Sequence, residues 1–133
     1  IFCLDFSSLS RIHDLGSGVK TSQAIKVMID HHQEPEDFAR YRLWDVSSAS
    51  TAGLIFELID LLGEKSSIDL AIATCLYAGL MTDTGGFRHN NTRHKEFLIA
   101  AELVARGANP HEISKNIYDT NTLERLRMTG FAL

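Results

Sequence analysis

Cysteine and clustered positive charge are both scarce in this sequence. Its 133 residues include two cysteines, and no Cys-x-x-Cys spacing occurs. Cys3 and Cys75 each lie in an apolar run, which predicts small buried side chains in a reducing compartment. The formal charge is −4 and no run of lysine and arginine stands out, so passive electrostatic binding of long nucleic acid is not expected. A phosphate ligand stays compatible with this charge if bound cations supply the positive charge.

Long hydrophobic runs are also missing. The longest, around residues 70–81, is broken by Thr74 and is too short to span a membrane, and no signal peptide is recognisable. These absences predict a soluble, cytoplasmic protein, and the length is that of one domain. Because the sequence begins at Ile1 in a strand-like run and stops at Leu133 in an apolar helical pattern, we expect it to be part of a longer protein.

Hydrophobic patterning predicts strands early and helices late. Apolar or alternating runs at residues 1–4, 25–29 and 41–45 predict strands, and Gly16-Ser17-Gly18 predicts a loop after a short helix over 7–15. Serine or proline caps predict later helices at residues 48–62, 68–81 (capped by Ser67), 92–106, 110–118 and from 123 onward. This order predicts an α/β fold with a mostly parallel, doubly wound sheet and helices on both faces.

Chemically versatile side chains follow the predicted strands and the central helix. Asp5 ends the first strand, Asp30-His31-His32 ends the second, and Asp83 follows the helix at 68–81 in a glycine-flanked turn. In open α/β sheets, ligands bind outside the carboxyl ends of the strands. Mixed Asp and His ligands suit Mn²⁺ or Zn²⁺ better than Ca²⁺, and two metals bridged by a carboxylate would clamp a phosphoryl group.

Each of these residues also has an ordinary structural interpretation. Asp5 alone is more often a strand-end turn residue or a helix cap, and a His-His pair is usually a surface feature or a structural hydrogen-bonding group. Asp83 before Thr-Gly-Gly fits simple turn chemistry about as well. Together these residues favour a metal site over separate structural roles, because three different strand or helix ends each offer a ligand.

Two motifs together resemble the DHH-family phosphoesterases: Ile-Asp-His-His at residues 29–32 and Asp-Thr-Gly-Gly-Phe-Arg at residues 83–88. The resemblance covers nearly the whole chain. It extends to Ser-Ala-Ser-Thr-Ala at 48–52, Ala-Gly-Leu-Met-Thr at 78–82 and Gly-Ala-Asn-Pro at 107–110. The Gly-Ala-Asn-Pro segment and the end containing Arg127 favour the bacterial branch that degrades very short RNA and dephosphorylates 3′-phosphoadenosine 5′-phosphate.

The resemblance implies a role for each motif residue. Asp5, His31 and Asp83 correspond to metal ligands, with Asp5 bridging two ions of Mn²⁺, or of Mg²⁺ or Co²⁺. His32 corresponds to a catalytic residue that contacts the phosphate, and Asp30 to a catalytic-site residue that orients an imidazole.

Arg88 is a candidate for binding a substrate phosphate, although a structural role fits it about equally well. The resemblance also implies hydrolysis by attack of metal-bound hydroxide. The substrate partners would be short RNA or nucleotide phosphates, with no membrane partner.

Two parts of the family pattern are absent from this sequence. They are the first-motif strand, with a histidine and two alternating aspartates, and the glycine-rich C-terminal domain that binds substrate. We therefore expect residues 1–133 to form a partial DHH phosphoesterase domain that binds metal poorly by itself.

Several alternatives remain open at this stage. Within the family they are a cyclic-dinucleotide phosphodiesterase, a single-strand exonuclease and an inorganic pyrophosphatase. A catalytically inactive regulatory nucleotide-binding domain is a rival of another class. The late helices could instead serve a homodimer, although Phe97, Leu98, Ala101, Leu103 and Val104 are more often core residues.

Overall fold

Three short parallel strands form one sheet, with the order β1-β2-β3. The computed structural model describes residues 1–120 and 122–132. The strands are β1 (Phe2–Leu4), β2 (Val27–Asp30) and β3 (Tyr41–Trp44). Leu4 pairs with Ile29, and Asp30 pairs with Trp44, so the carboxyl ends of all three strands lie at the same edge. The predicted α/β fold with a parallel sheet is confirmed.

Helices make up most of the remaining structure. Two 3₁₀ turns lie at Leu9–Ile12 and Lys65–Ser67, and a π-helical turn lies at Lys115–Asp119. The α-helices are α1 (Asp14–Thr21), α2 (Thr51–Leu61), α3 (Leu70–Asp83), α4 (His94–Ala105), α5 (Pro110–Ser114) and α6 (Leu123–Ala132). In the described part of the chain, none of these helices has both the length and the apolarity required to cross a bilayer.

The main core lies between the helices. Helix α3 packs against α2, α4 and α5, and α2 also packs against the central strand β2. Leu80 and Leu103 are fully buried in this cluster. At the α2–α3 crossing, a Cβ built on Gly79 would lie 2.8 Å from the Cβ of Ala52, so the two backbones approach more closely than any larger residue would permit. This packing fixes the start of α2 beside the sheet edge.

Two local predictions near the helix starts are wrong. Gly16-Ser17-Gly18 lies inside α1 rather than in a loop. Gly16 is required there for packing, because a Cβ would lie 2.3 Å from the backbone oxygen of Leu9. Asp69, not Ser67, caps α3, because its carboxylate accepts a 2.8 Å hydrogen bond from the backbone N–H of Ile72.

Two burial predictions are also wrong. Cys3 is buried as expected, but Cys75 is exposed because the core-facing side of α3 carries its neighbours, Leu76 and Tyr77. On α4 only Leu103 of the five predicted core positions is buried, together with Ile99 and Ala100. The other four predicted positions lie on the exposed side of the helix: Phe97, Leu98, Ala101 and Val104.

Candidate active site

Asp5, His31 and Asp83 meet at the carboxyl edge of the sheet. The Nε2 atom of His31 lies 3.8 Å from Asp5 Oδ1 and 3.6 Å from Asp83 Oδ2. Asp5 directly follows β1, His31 directly follows β2, and Asp83 is the last residue of α3. The structure therefore brings together the three residues predicted as metal ligands, although Asp83 ends a helix rather than lying in the turn after it.

The His31 ring is oriented by a backbone carbonyl. Its Nδ1 lies 3.2 Å from the carbonyl oxygen of Ser48, in the loop before α2. Because a carbonyl only accepts hydrogen bonds, Nδ1 carries the proton, and in the neutral ring the lone pair is on Nε2. That lone pair faces the two carboxylates, which is the arrangement of a metal-ligating imidazole whose other nitrogen is held by the protein.

Asp5 is held in an uncommon backbone conformation. Its φ is 66°, in the left-handed region that non-glycine residues seldom adopt, and its N–H donates to the Ile29 carbonyl at 3.1 Å. The hydroxyl of Thr51 donates to Asp5 Oδ1 at 2.8 Å. The side chain is nevertheless 57% exposed, so a ligand can reach it. Non-glycine residues in this region cluster at functional sites, where surrounding contacts hold them.

Asp83 is the more enclosed carboxylate. Its burial and the negative charge of Asp5 raise its pKa above the usual range for an aspartate, while His31 and His32 act in the opposite direction. A cation between the two carboxylates would oppose this shift, because its positive charge favours the ionised form of both groups. The following turn depends on glycine, since Gly85 and Gly86 have φ values of 58° and 70°.

His32 and Asp30 form a second, adjoining pair. His32 Nδ1 lies 2.7 Å from Oδ1 of the fully buried Asp30, and Trp44 Nε1 donates to the His32 carbonyl at 2.7 Å. Asp30 Oδ2 is buried and has no hydrogen-bond partner among the described residues. The rings of His31 and His32 are edge-to-face, 4.8 Å apart. Asp30 therefore contacts the second histidine of the motif, so the imidazole that it could orient is that of His32.

Arg88 lies on the turn after Asp83. Its Nε donates to the carbonyl oxygen of Gly85 at 2.8 Å. In the described part of the chain this hydrogen bond ties Arg88 to its own turn rather than to the carboxylates or imidazoles of the cluster. Its predicted contact with a substrate phosphate remains a prediction.

The donor set fits a divalent transition-metal ion. Ligand atoms of Asp5, His31 and His32 lie within 4.8 Å of one another, and Asp83 adds a fourth donor beside His31. Oxygen and nitrogen ligands bind such ions at about 2.0–2.2 Å, so donor atoms less than about 4 Å apart can share one ion after a small adjustment. The mixture of imidazole and carboxylate suits Mn²⁺, Zn²⁺ or Co²⁺.

Sequence reasoning did not assign the supports of this cluster. The carbonyl of Ser48 and the hydroxyl of Thr51 belong to a segment for which the sequence predicts a helix start and a family resemblance, but no contact with the ligands. For Trp44 the sequence predicts only a position in a strand, not the hydrogen bond of its indole to the His32 carbonyl. A backbone acceptor leaves no trace in residue type, and one threonine at a helix start suggests capping, so these contacts required the structure.

The sequence model of the DHH family, N-terminal domain, matches residues 1–80 of this chain. The chain is 37% identical over 91 residues to the "Bifunctional oligoribonuclease and PAP phosphatase NrnA" of Thermus thermophilus, covering 68% of this chain and 28% of that protein. To the protein of the same name from Bacillus subtilis it is 29% identical, covering 98% of this chain and 41% of the relative. The chain thus spans less than half the length of these relatives.

A solved structure supports the same relationship. The crystal structure of an exopolyphosphatase-related protein from Bacteroides fragilis matches with a TM-score of 0.93 and 40% identity. The match covers 98% of this chain and 38% of that one. The arrangement of strands and helices described above is therefore shared by a longer protein.

Proposed function

The chain belongs to the DHH family, and on that premise we propose that it carries part of the active site of a metal-dependent phosphoesterase. The proposed substrates are very short oligoribonucleotides and 3′-phosphoadenosine 5′-phosphate. The observation that carries the proposal is the position of the His31 Nε2 lone pair between the carboxylates of Asp5 and Asp83, with His32 beside it. The names of the two NrnA relatives favour this substrate class.

In this proposal Asp5, His31 and Asp83 hold Mn²⁺, with Mg²⁺ or Co²⁺ as substitutes. Asp5 is the exposed carboxylate at the outer side, which suits a ligand shared between two ions. When bound, divalent ions would polarise phosphoryl oxygens and would lower the pKa of coordinated water toward neutrality.

His32 is proposed to bind the phosphoryl group and to hold a proton there. With protons on both nitrogens, its ring donates Nδ1–H to Asp30 and Nε2–H to a phosphate oxygen. The buried carboxylate of Asp30 fixes the direction of the ring through its contact with Nδ1. Trp44 holds the backbone of His32 in place through its carbonyl.

Arg88 is proposed to bind a second phosphate of the substrate. Because Nε is committed to the Gly85 carbonyl, the terminal Nη atoms are the groups that can donate to phosphate oxygens. A planar guanidinium fixed on one side is a directional phosphate donor. The contact would suit a nucleotide that carries phosphates at both its 3′ and 5′ positions.

The 133 residues are proposed to work as part of a larger module. The relatives are more than twice as long as the segments that this chain matches, which supports a second domain for substrate binding. Manganese titration of this chain beside a full-length relative tests this point. Equal, tight binding of two ions by the 133 residues would show that no further ligands are needed.

Metal binding can be followed with the single tryptophan of the chain. Since Trp44 Nε1 is bonded to the His32 carbonyl, paramagnetic Mn²⁺ at this edge should quench its fluorescence, and a chelator should restore it. Asp83→Ala should greatly weaken this response. A response of equal size and midpoint in the variant would remove Asp83 from the ligand set.

Activity of the full-length protein, which would include the proposed substrate-binding domain, is tested with manganese on a substrate panel. The panel contains a diribonucleotide, 3′-phosphoadenosine 5′-phosphate, a cyclic dinucleotide, pyrophosphate and single-stranded DNA. Hydrolysis of the first two, abolished by Asp83→Ala, is the expected result. Preference for another member would identify a different branch of the family, and binding of nucleotide without hydrolysis would indicate a regulatory domain.

A further inference from the structure

Asn91 lies outside the two signature motifs but contacts both halves of the candidate site. Its side-chain nitrogen Nδ2 donates to the carbonyl oxygen of Asp83 at 3.1 Å and to that of Ala49 at 3.4 Å. Both partners are acceptors, so the amide nitrogen, rather than the amide oxygen, must face them. The orientation of the Asn91 amide is thereby fixed by the backbone around it.

The two carbonyls belong to segments that hold different ligands. Asp83 carries its own carboxylate at the end of α3. Ala49 lies between Ser48, whose carbonyl holds His31, and the start of α2, where Thr51 holds Asp5. The Asn91 amide thus joins the segment that supports Asp5 and His31 to the residue that supplies the third ligand.

The other half of the Asn91 amide gives independent support. Its Oδ1 is buried and has no hydrogen-bond partner among the described residues. A buried acceptor without a partner is unfavourable, and an apolar side chain at this position would avoid that penalty. The benefit of the amide therefore lies in its two N–H groups, which reach Asp83 and Ala49.

We propose that Asn91 is a positioning residue that sets the separation between the Asp83 carboxylate and the Asp5–His31 pair, and thereby the affinity of the site for metal. The inference rests on the proposed function, because it assigns Asn91 a role in building that metal site. Asn91 does not reach the ion in this proposal. It acts on the backbone of a ligand and on the loop that supports the other two.

The test compares Asn91→Asp and Asn91→Ala with Asn90→Asp in the 133-residue chain. Asn91→Asp has nearly the same shape but turns an oxygen toward two carbonyls, whereas Asn91→Ala removes both hydrogen bonds without adding charge. Asn90 is the adjacent, exposed asparagine, so Asn90→Asp adds the same charge one position away. Manganese affinity is measured by Trp44 fluorescence at a temperature where metal-free melting curves show each variant to be folded.

Both Asn91 variants should bind Mn²⁺ about 10- to 100-fold more weakly than the unchanged chain, as is typical when a support of a metal ligand is lost. Asn90→Asp should stay within about twofold of the unchanged chain. A folded Asn91 variant with unchanged affinity would overturn the inference, and so would two Asn91 variants that fail to fold, since the residue would then be structural.

Failure of the inference is distinguishable from failure of the proposed function. Weak binding is expected of the 133 residues alone; if the unchanged chain shows no manganese response even at the highest ion concentration, the proposed metal site itself is wrong. If the unchanged chain binds manganese and the Asn91 variants bind it equally well, the metal site stands and only the role of Asn91 is lost.

Discussion

The hydroxyl of Thr51 donates a 2.8 Å hydrogen bond to Asp5 Oδ1, joining residues that are 46 positions apart in the chain. Thr51 is 4% exposed at the first turn of α2, whereas Asp5 directly follows β1 and is exposed. The bond occupies one lone pair of Oδ1 and leaves the other lone pairs of the carboxylate available to a ligand. The hydroxyl at the start of α2 therefore helps to fix the orientation of the Asp5 carboxylate.

Thr51→Val should weaken manganese binding without preventing folding. Valine keeps the shape of threonine but cannot donate, so Asp5 would lose its fixed direction, and stability should fall by about 0.5–1.5 kcal/mol, the typical contribution of one hydrogen bond. Metal titration and urea unfolding measure the two effects. Thr51→Ser restores the hydroxyl and should recover most of the manganese affinity. If Thr51→Ser recovered the stability but not the affinity, the hydroxyl would not be the group that orients Asp5 for the metal.

Asp83→Asn should affect the metal-free protein and the metal complex in opposite directions. Without metal, removing a negative charge near Asp5 should stabilise the fold by up to about 1 kcal/mol, the range for partly exposed charge pairs. With manganese present, the variant should lose the stabilisation that binding provides. Melting curves in chelator and in manganese show both effects, and a variant less stable in chelator would contradict the predicted repulsion.

The stability of the metal-free protein should depend on pH through Asp83. Because its pKa is raised in the fold, the folded state binds this proton more tightly than the unfolded chain does. The resulting stabilisation is complete below the unfolded value, about 3.9, and is lost as pH rises through the raised value. Relative to Asp83→Asn, the unchanged chain should therefore become less stable as pH rises, as measured by urea unfolding in chelator.

Manganese affinity should change with pH in the opposite sense. Metal binding requires the ionised carboxylate, so protons compete with the ion and affinity should rise over the same pH range. For the metal-free protein, a difference in unfolding free energy between the unchanged chain and Asp83→Asn that is the same at every pH would contradict the raised pKa of Asp83.

Gly79→Ala should destabilise the fold at the α2–α3 crossing. The added methyl group would lie 2.8 Å from Ala52, so the helices must separate, at an expected loss of about 1–3 kcal/mol. Gly18→Ala is the matched control, because nothing lies within 4 Å of its Cβ position in α1, and it should stabilise by about 0.4–1 kcal/mol. Chemical unfolding of both variants measures these effects, and equal losses would show that the crossing has room to relax.

The sequence predicted the parts of this fold whose periodicity is local. The predicted bounds of the strand into Asp30 and of helices α2, α4 and α6 agree with the observed bounds within a few residues. They agree because apolar spacing and caps are encoded along one segment. For Gly16-Ser17-Gly18 the sequence predicts a loop, because glycine usually marks one. Its helical role depends on the approach of the Leu9 backbone, a tertiary contact that local patterning does not contain.

The candidate site was predicted as a set of residue types at strand and helix ends. The structure places the predicted ligands Asp5, His31 and Asp83 side by side and adds how each one is held, while their role as metal ligands stays a prediction. Pairing of Asp30 with His32 rather than His31 could not be read from adjacent positions, since the direction of each ring depends on the Ser48 carbonyl and on Asp30. The roles of these side chains in catalysis remain predictions.

Much of the site is held by main-chain oxygens, so residues that contribute only a carbonyl can be substituted more readily than the residues that contribute ligand side chains. His31 is oriented by the carbonyl of residue 48, and Asn91 binds the carbonyls of residues 49 and 83. Any L-amino acid that keeps the backbone path offers the same acceptor. The side chains of residues 48 and 49 can therefore change without removing the acceptors that hold His31 and Asn91, provided that the backbone path is kept.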